Sequence, residues 1–412
     1  MLGSSYQSDV MNSNYVSLFS NLSVALDTHK AYWQSHAFRE PELPWRAQLP
    51  DLHAALLALG DESLLELESD AGALQRFTQD YVPGQDALLK MLEGIPSLLR
   101  SPDEIPSEMR FFAKHIPGRK WQQIQYFSAH TESRGKRFID WCCGKGHLGR
   151  YMARSRAADV LGLEWDQVLV DEGRDLARDM VEGTMDLQCC DVLSRETVDH
   201  LASKDHVLAL HACGDLHRQL LTTAVLKPMA AVSIAPCCYQ KTRAERYEFL
   251  SRQGQEQALA LRRQDLHTMV QETVTAPGAV RRRRIQLQQW RLGFDLLQRE
   301  LRGEDTYMTT PSLPQSVLKL GFKGFCRLLA ERRGLSLSAE PDWDHYETLG
   351  EQRFAEARRL DVLRLSYRRA LEVLVLLDQL LFLQEHGFQA ELREFCPREL
   401  SPRNLLINAW RD

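Results

Sequence analysis

Residues 138–152 read FIDWCCGKGHLGRYM: an apolar run, a glycine turn and the opening of a helical pattern. The turn is Gly144-x-Gly146-x-x-Gly149. Glycine tolerates positive φ and places no Cβ between backbone and ligand, so a strand ending in such a turn before a helix is a setting for nucleotide binding. That alone admits NAD. Two further acids at strand ends narrow the choice. Glu164 closes a second predicted strand, where a carboxylate accepts the hydroxyls of an unphosphorylated ribose. Asp191 follows a third, where it receives an adenine amino group, and Asp140 at the end of the first can face an ammonium. Singly, each is as readily a surface or capping carboxylate. Jointly they suit S-adenosylmethionine, which carries ribose, adenine, ammonium and sulfonium but no phosphate, whereas NAD leaves Asp191 idle.

Outward from this turn, between Arg137 and Gln240, short β-branched or apolar runs alternate with helical stretches, as in a parallel sheet with crossover helices. The pattern predicts strands at Phe138–Trp141, Val160–Glu164, Met185–Cys189, Val207–Leu210 and Ala231–Ala235. Helices are predicted over Gly146–Arg154, Gln167–Met180, Arg195–Ala202 and Leu216–Leu226. Near the C-terminus a helix at Leu371–Gln384 leads to strands at Gln389–Phe395 and Asn404–Trp410. The expected fold is α/β: a Rossmann-like, seven-stranded sheet of the class I methyltransferase kind with an antiparallel last strand, a helical N-terminal region and a helical insertion after strand five. Ligands in such sheets sit beyond the carboxyl ends of the strands.

The 412 residues carry 51 Lys and Arg against 56 Asp and Glu, a formal net charge of -5, so any attraction to phosphate must be local. Residues 1–115, the helical N-terminal region, hold 8 basic against 16 acidic residues, which argues for a packing or partner role rather than a nucleic-acid surface. Residues 116–240 and 366–412 make up the two parts of the expected cofactor-binding core, and 241–365 the insertion. Within it, residues 241–333 have 18 basic against 10 acidic side chains. Nine cysteines, three adjacent pairs among them, suit reduced thiols and a cytoplasmic location. The N-terminal stretch lacks the pattern of a signal peptide. The most apolar run, Leu371–Leu383, carries Glu372 and Asp378 and is shorter than the about 20 residues a membrane span needs, so no membrane is expected.

The segments DWCCGKGHLGR, LHACGDL, APCCYQ, EVLVLLDQLLFLQEHGF and LSPRNLLINAW resemble the methyltransferase domain shared by the eukaryotic methyltransferase-like 25 proteins and the glutathione S-transferase C-terminal domain-containing protein. The same domain is more distantly similar to the tRNA 2′-O-methyltransferases of the acceptor stem. The resemblance covers about residues 110–240 and 365–412, and GRKWQQI (Gly118–Ile124) resembles the lysine-bearing segment ahead of the family's first strand. It implies a class I S-adenosylmethionine-dependent methyltransferase. Asp140, Cys142, Gly144 and Gly146 then fall on the cofactor turn, Glu164 on the ribose acid and Asp191 on the adenine acid. Cys142 replaces the first glycine of the general class I turn, and its side chain disfavours positive φ.

Methyl transfer is an in-line displacement, so a nucleophile must be held roughly 3 Å from the methyl carbon, with a base where that nucleophile is protonated. The candidates are His211, Cys213 and Asp215 after strand four, and Cys237 and Tyr239 after strand five. His211 is the candidate base and also borders the cofactor, with Asp215 orienting it or capping the next helix; a structural histidine is the plainer alternative. Tyr239 is placed to stack on a base or line the methyl channel, or simply to pack. A covalent cysteine, as in RNA cytosine-5 methyltransferases, is a further option. No metal is expected, because Cys142, Cys189, Cys213 and Cys237 lack the short C-x-x-C spacing of metal sites.

Substrate choice is assigned to the insertion. Arg281, Arg282, Arg283 and Arg284, with Arg262, Arg263, Arg291 and the aromatics Trp290, Tyr307 and Phe322, are read as a basic face with platforms for RNA; a solvated helix over its own core is the alternative. RNA, as tRNA or rRNA, is the expected substrate. A protein substrate such as a ribosomal protein or translation factor is the rival, and a catalytically silent binding module lies outside the enzyme class.

Overall fold

The five internal apolar runs form parallel strands β1 (Arg137–Trp141), β2 (Asp159–Glu164), β3 (Thr184–Cys189), β4 (Asp205–Leu210) and β5 (Ala231–Ala235). In this computed structural model the described residues are all except 1, 41, 103–111, 114–115, 179, 181, 228, 258, 272–277, 312, 338–339 and 412, with residues 2–13 described by backbone alone. β6 (Gln389–Glu394) and β7 (Leu405–Trp410) complete one seven-stranded sheet in the order β3-β2-β1-β4-β5-β7-β6, β7 being antiparallel to both neighbours. β1, β4 and β5 are buried almost throughout, as apolar strands covered on both faces must be, while the edge strands β3 and β6 mix buried and open positions.

Helices α1 (Gly118–Ala129), α2 (His147–Arg156), α3 (Gln167–Ala177), α4 (Asp215–Leu226) and α5 (Arg368–Glu385) accompany the sheet. The segment expected as a helix at Arg195–Ala202 is a short 3-10 turn, Arg195–His200, entered through Ser194, whose hydroxyl accepts from the Glu196 amide. This is the class I methyltransferase topology. Chain connections leave β1 and β4 in opposite directions, so the crevice where ligands bind in open α/β sheets lies at the carboxyl ends of this adjacent pair.

Two compact units are present. One comprises residues 1–27, 87–270 and 369–412 and holds the sheet; the other comprises residues 28–86 and 271–368. This division differs from the compositional one. Residues 241–270, grouped by charge with the insertion, belong to the sheet unit because Asp378 of α5 holds them: its carboxylate accepts from Tyr247 Oη, the amides of Leu250 and Ser251, and Ser251 Oγ. The helices of residues 28–86 group with the insertion for a similar reason. Arg353, Arg358 and Arg359 of the helix Trp343–Leu365 reach the Ala37 and Glu40 carbonyls, Glu68, and Asp61 with the Leu59 carbonyl. Among the described residues no helix is long and apolar enough to cross a membrane.

Candidate active site

β1 delivers Asp140 to the sheet's carboxyl edge, and the chain then turns through Cys142 (φ 58), Gly144 (φ 57) and Gly146 (φ 68). Cys142 adopts the left-handed conformation its side chain disfavours, so the turn geometry persists where the sequence departs from glycine. Gly146 opens α2 in the left-handed conformation, which selects glycine; a Cβ there would lie 2.6 Å from the movable end of the Met185 side chain. At Gly144 a Cβ would meet nothing within 4 Å; the turn faces open space at this point.

The turn is fixed from two sides. Asp140 Oδ2 accepts from the Gly149 amide at 2.8 Å, inside the first turn of α2. Glu164, buried at the end of β2, accepts from the Gly144 amide on Oε2 (2.9 Å) and from the Trp165 and Asp166 amides on Oε1 (3.1 and 3.2 Å). A carboxylate offers about four lone-pair positions, so about one remains for a ligand hydroxyl. Burial raises the Asp140 carboxyl from 3.8 to about 7; the Gly149 amide and Lys120 oppose this, and Glu164 adds to it. A cationic ligand group beside Asp140 would reverse that balance. Asp191 is exposed after β3, its Oδ1 accepting from the Leu193 amide at 3.0 Å. Between the two acids, Trp165 stands 75% exposed, unusual for so large an apolar ring. The motif pattern does not single it out, although its place directly after Glu164 is the available signal.

His211 follows β4 with φ 71. Its Nε2 lies 2.6 Å from Gln123 Oε1 of α1, and Gln123 Nε2 donates to the Leu400 carbonyl. The amide orientation is thereby set, Nε2 carries the proton, and Nδ1 is left as the acceptor. Burial, with Lys120 and Arg403, lowers the imidazole from 6.5 to about 4. It is neutral at pH 7, and well below the range that suits a general base. Gln123 and Lys120 both lie in the GRKWQQI segment; their roles require the fold that lays α1 against the strand ends.

Asp215 does not orient His211. It is the first residue of α4, and its Oδ2 accepts from the Arg243 amide at 2.9 Å, clamping the loop after β5. Tyr239 is buried, its hydroxyl donating to Glu372 at 3.1 Å, and it contributes to the lining of the hollow beside Cys213, Cys237 and Cys238. Cys213 and Cys237, after different strands, come together with Sγ atoms 3.4 Å apart, and Cys238 joins them. Beside them is a hollow of about 230 Å3 whose lining includes Arg218, Arg243 and Arg246. Arg218 stacks 4.8 Å from the Tyr247 ring centroid, and its buried Nη1 has no hydrogen-bond partner among the described residues.

In the second unit Arg282, Arg283 and Arg284 are exposed and Arg281 half-buried on the helix Gly278–Arg302. Trp290 is no surface platform. It is buried against Phe322 and Phe325, and its indole donates to Glu347 at 2.7 Å. The helix needs an apolar stripe for its own core; Trp290 belongs to it and packs on the equally buried Phe322 of the helix Gly321–Arg333. Arg291 and Arg262 also serve the fold, Arg291 donating to Thr310 Oγ1 and the Pro311 carbonyl, Arg262 to Asp265.

Residues 119–245 match the family model Methyltransf_32, described as a methyltransferase domain. Over these residues the chain is similar to a methyltransferase domain. The match takes in the glycine turn, Glu164, Asp191, His211 and the cysteine cluster. Among solved structures, geranyl diphosphate C-methyltransferase from Streptomyces coelicolor A3(2), in complex with Mg2+, geranyl diphosphate and S-adenosyl-L-homocysteine, is 16% identical over 38% of this chain and 65% of that one, with a TM-score of 0.25. The [4+2]-cyclase SpnF is 21% identical over 39% of this chain and 59% of its own, TM-score 0.23. The plantazolicin methyltransferase BpumL is 14% identical over 43% and 62%, TM-score 0.20. The chain spans less than two thirds of the length of each, and likeness at this level bears on neither acceptor nor mechanism.

Proposed function

We propose that this chain is an S-adenosylmethionine-dependent methyltransferase whose acceptor is RNA, either tRNA or rRNA. The cofactor assignment rests on the buried Glu164 carboxylate held against the Gly144 turn, with lone-pair capacity to spare and open space before it. S-adenosylmethionine supplies a methyl carbon made electrophilic by its sulfonium. Glu164 takes a ribose hydroxyl, Asp140 the ammonium, Asp191 the adenine amino group, and Trp165 offers an apolar face to the base. His211 presents Nδ1 as an acceptor that orients an incoming hydroxyl.

Three observations support RNA. Arg282, Arg283 and Arg284 are exposed in a locally basic stretch of an acidic chain. The hollow beside the β4 and β5 ends is lined by Arg218, Arg243 and Arg246 together with Asp215 and Glu248, a basic excess that favours a phosphate over a cationic group. The motif set resembles the methyltransferase-like 25 proteins and, distantly, tRNA 2′-O-methyltransferases. The rival acceptor is a basic protein segment such as a ribosomal tail, for which the acidic excess of residues 1–115 provides charge complementarity. Nine cysteines, none in a disulfide, suit a reducing compartment and support a cytoplasmic site of action.

The deciding experiment incubates the full chain with methyl-labelled S-adenosylmethionine and separated RNA and protein fractions from a deletion strain. Label in RNA is expected; label confined to protein overturns the acceptor. Calorimetry with S-adenosylhomocysteine tests the cofactor, and no heat at high ligand concentration leaves a silent binding module.

A further inference from the structure

We propose that Cys213, Cys237 and Cys238 form a zinc site of three thiolates with an open fourth position, at the carboxyl ends of β4 and β5. It stands independently of the RNA reading.

The sulfurs have the separation that a metal demands. Cys213 and Cys237 Sγ are 3.4 Å apart, Cys237 and Cys238 Sγ 3.6 Å, and all three atoms lie within 4.8 Å of one another. Tetrahedral zinc with Zn–S bonds of about 2.3 Å sets neighbouring sulfurs about 3.8 Å apart. Small adjustments would seat the ion. The ligands escape a spacing search because two come from the loop after β5 and one from the loop after β4, which neighbouring parallel strands bring side by side.

The backbone holds this arrangement in place. Lys241 N donates to the Cys238 carbonyl (3.1 Å), Asp215 N to the Lys241 carbonyl (3.1 Å), and Arg243 N to Asp215 Oδ2 (2.9 Å), so the loops bearing Cys213 and Cys238 are tied together. A Cβ on Gly214 would sit 1.7 Å from the Lys241 carbonyl oxygen; only glycine lets the two loops close. A zinc tris-thiolate carries one net negative charge, and Lys241 and Arg403 both act electrostatically on Cys238. No fourth His, Cys, Asp or Glu atom among the described residues joins the set, and all three cysteines are half-buried. Structural zinc sites are closed by four protein ligands, whereas three ligands leave a position for water or a substrate atom. A disulfide would draw one pair to about 2.05 Å and leave the third sulfur without a role.

The test uses the reduced full-length chain, stripped of metal and titrated with Zn2+ or with Co2+ as its spectroscopic stand-in. One equivalent is expected to bind, with cobalt giving thiolate charge transfer and tetrahedral d–d bands. Cys213→Ser, Cys237→Ser and Cys238→Ser should each weaken binding more than about tenfold, while Cys189→Ser, at the end of β3, should not. Should a serine variant fail to fold, alkylation mapping on the wild-type chain decides: zinc must protect all three cysteines together. Absence of thiolate charge transfer at one equivalent, or equal alkylation with and without zinc, overturns the site. Co-purifying iron with sulfide at these cysteines overturns the choice of zinc.

Discussion

The backbone amide of Gly144 donates to Glu164 Oε2 at 2.9 Å, so the turn after β1 is latched to the end of β2 by the acid assigned to the cofactor ribose. On the proposed function, one side chain thus both organises the protein and addresses the ligand. Removing it should damage both functions. Glu164→Ala leaves three backbone amides without their acceptor, and a loss of about 3 kcal/mol in folding stability is expected. Affinity for S-adenosylhomocysteine should fall at least about tenfold, equivalent to about 1.4 kcal/mol. Urea denaturation and calorimetry read the two effects separately.

Two glycines with nearly equal φ should respond in opposite ways. Gly144→Arg places its side chain in open space, so the chain should fold at a cost of about 1–2 kcal/mol for the left-handed backbone but fail to bind cofactor. Gly214→Ala brings a Cβ to 1.7 Å from a backbone oxygen and should lower the melting temperature far more. Thermal melts with and without S-adenosylhomocysteine distinguish the two.

Cofactor affinity should depend on pH through Asp140. Its folded pKa of about 7 lies above its ordinary 3.8, so the ligand-free chain keeps a proton that the unfolded chain has released. Stability from this group is therefore fullest below about pH 4 and declines as pH rises towards 7. A bound ammonium favours the carboxylate, so binding should strengthen as pH rises to about 7, with proton release below that, and then level off. Calorimetry in buffers of different ionisation enthalpy counts the protons. Asp140→Asn should abolish the slope.

Charge reversal across Arg281–Arg284 should weaken RNA binding and leave S-adenosylhomocysteine binding unchanged. Every phosphate no longer neutralised should flatten the plot of log K against log salt by about 0.7 for single-stranded RNA. Fluorescence anisotropy over a salt series measures it. A loss of cofactor binding in this variant would contradict the assignment of those arginines to substrate.

Trp290→Ala should act on stability. With the indole buried against Phe322 and Phe325, a loss of about 3–5 kcal/mol is expected in urea denaturation. If folded Trp290→Ala protein instead shows full stability and impaired RNA binding, the core assignment fails.

What the sequence determined by itself was local. Strand periodicity located all seven strands to within two residues at either end, because a buried parallel strand must be apolar and a tight turn must use glycine or a tolerated substitute. The acids Asp140, Glu164 and Asp191 were legible for the same reason: each stands at a strand end, and strand ends in such a sheet share one edge. Tertiary structure alone decided what depends on which surfaces meet. It paired Gln123 with His211 across 88 residues, turned Trp290 inward, and grouped residues 28–86 with 271–368 through arginines whose partners no local pattern names. It also brought Cys213 beside Cys237, because adjacent strands set side by side two sulfurs that lie far apart in sequence.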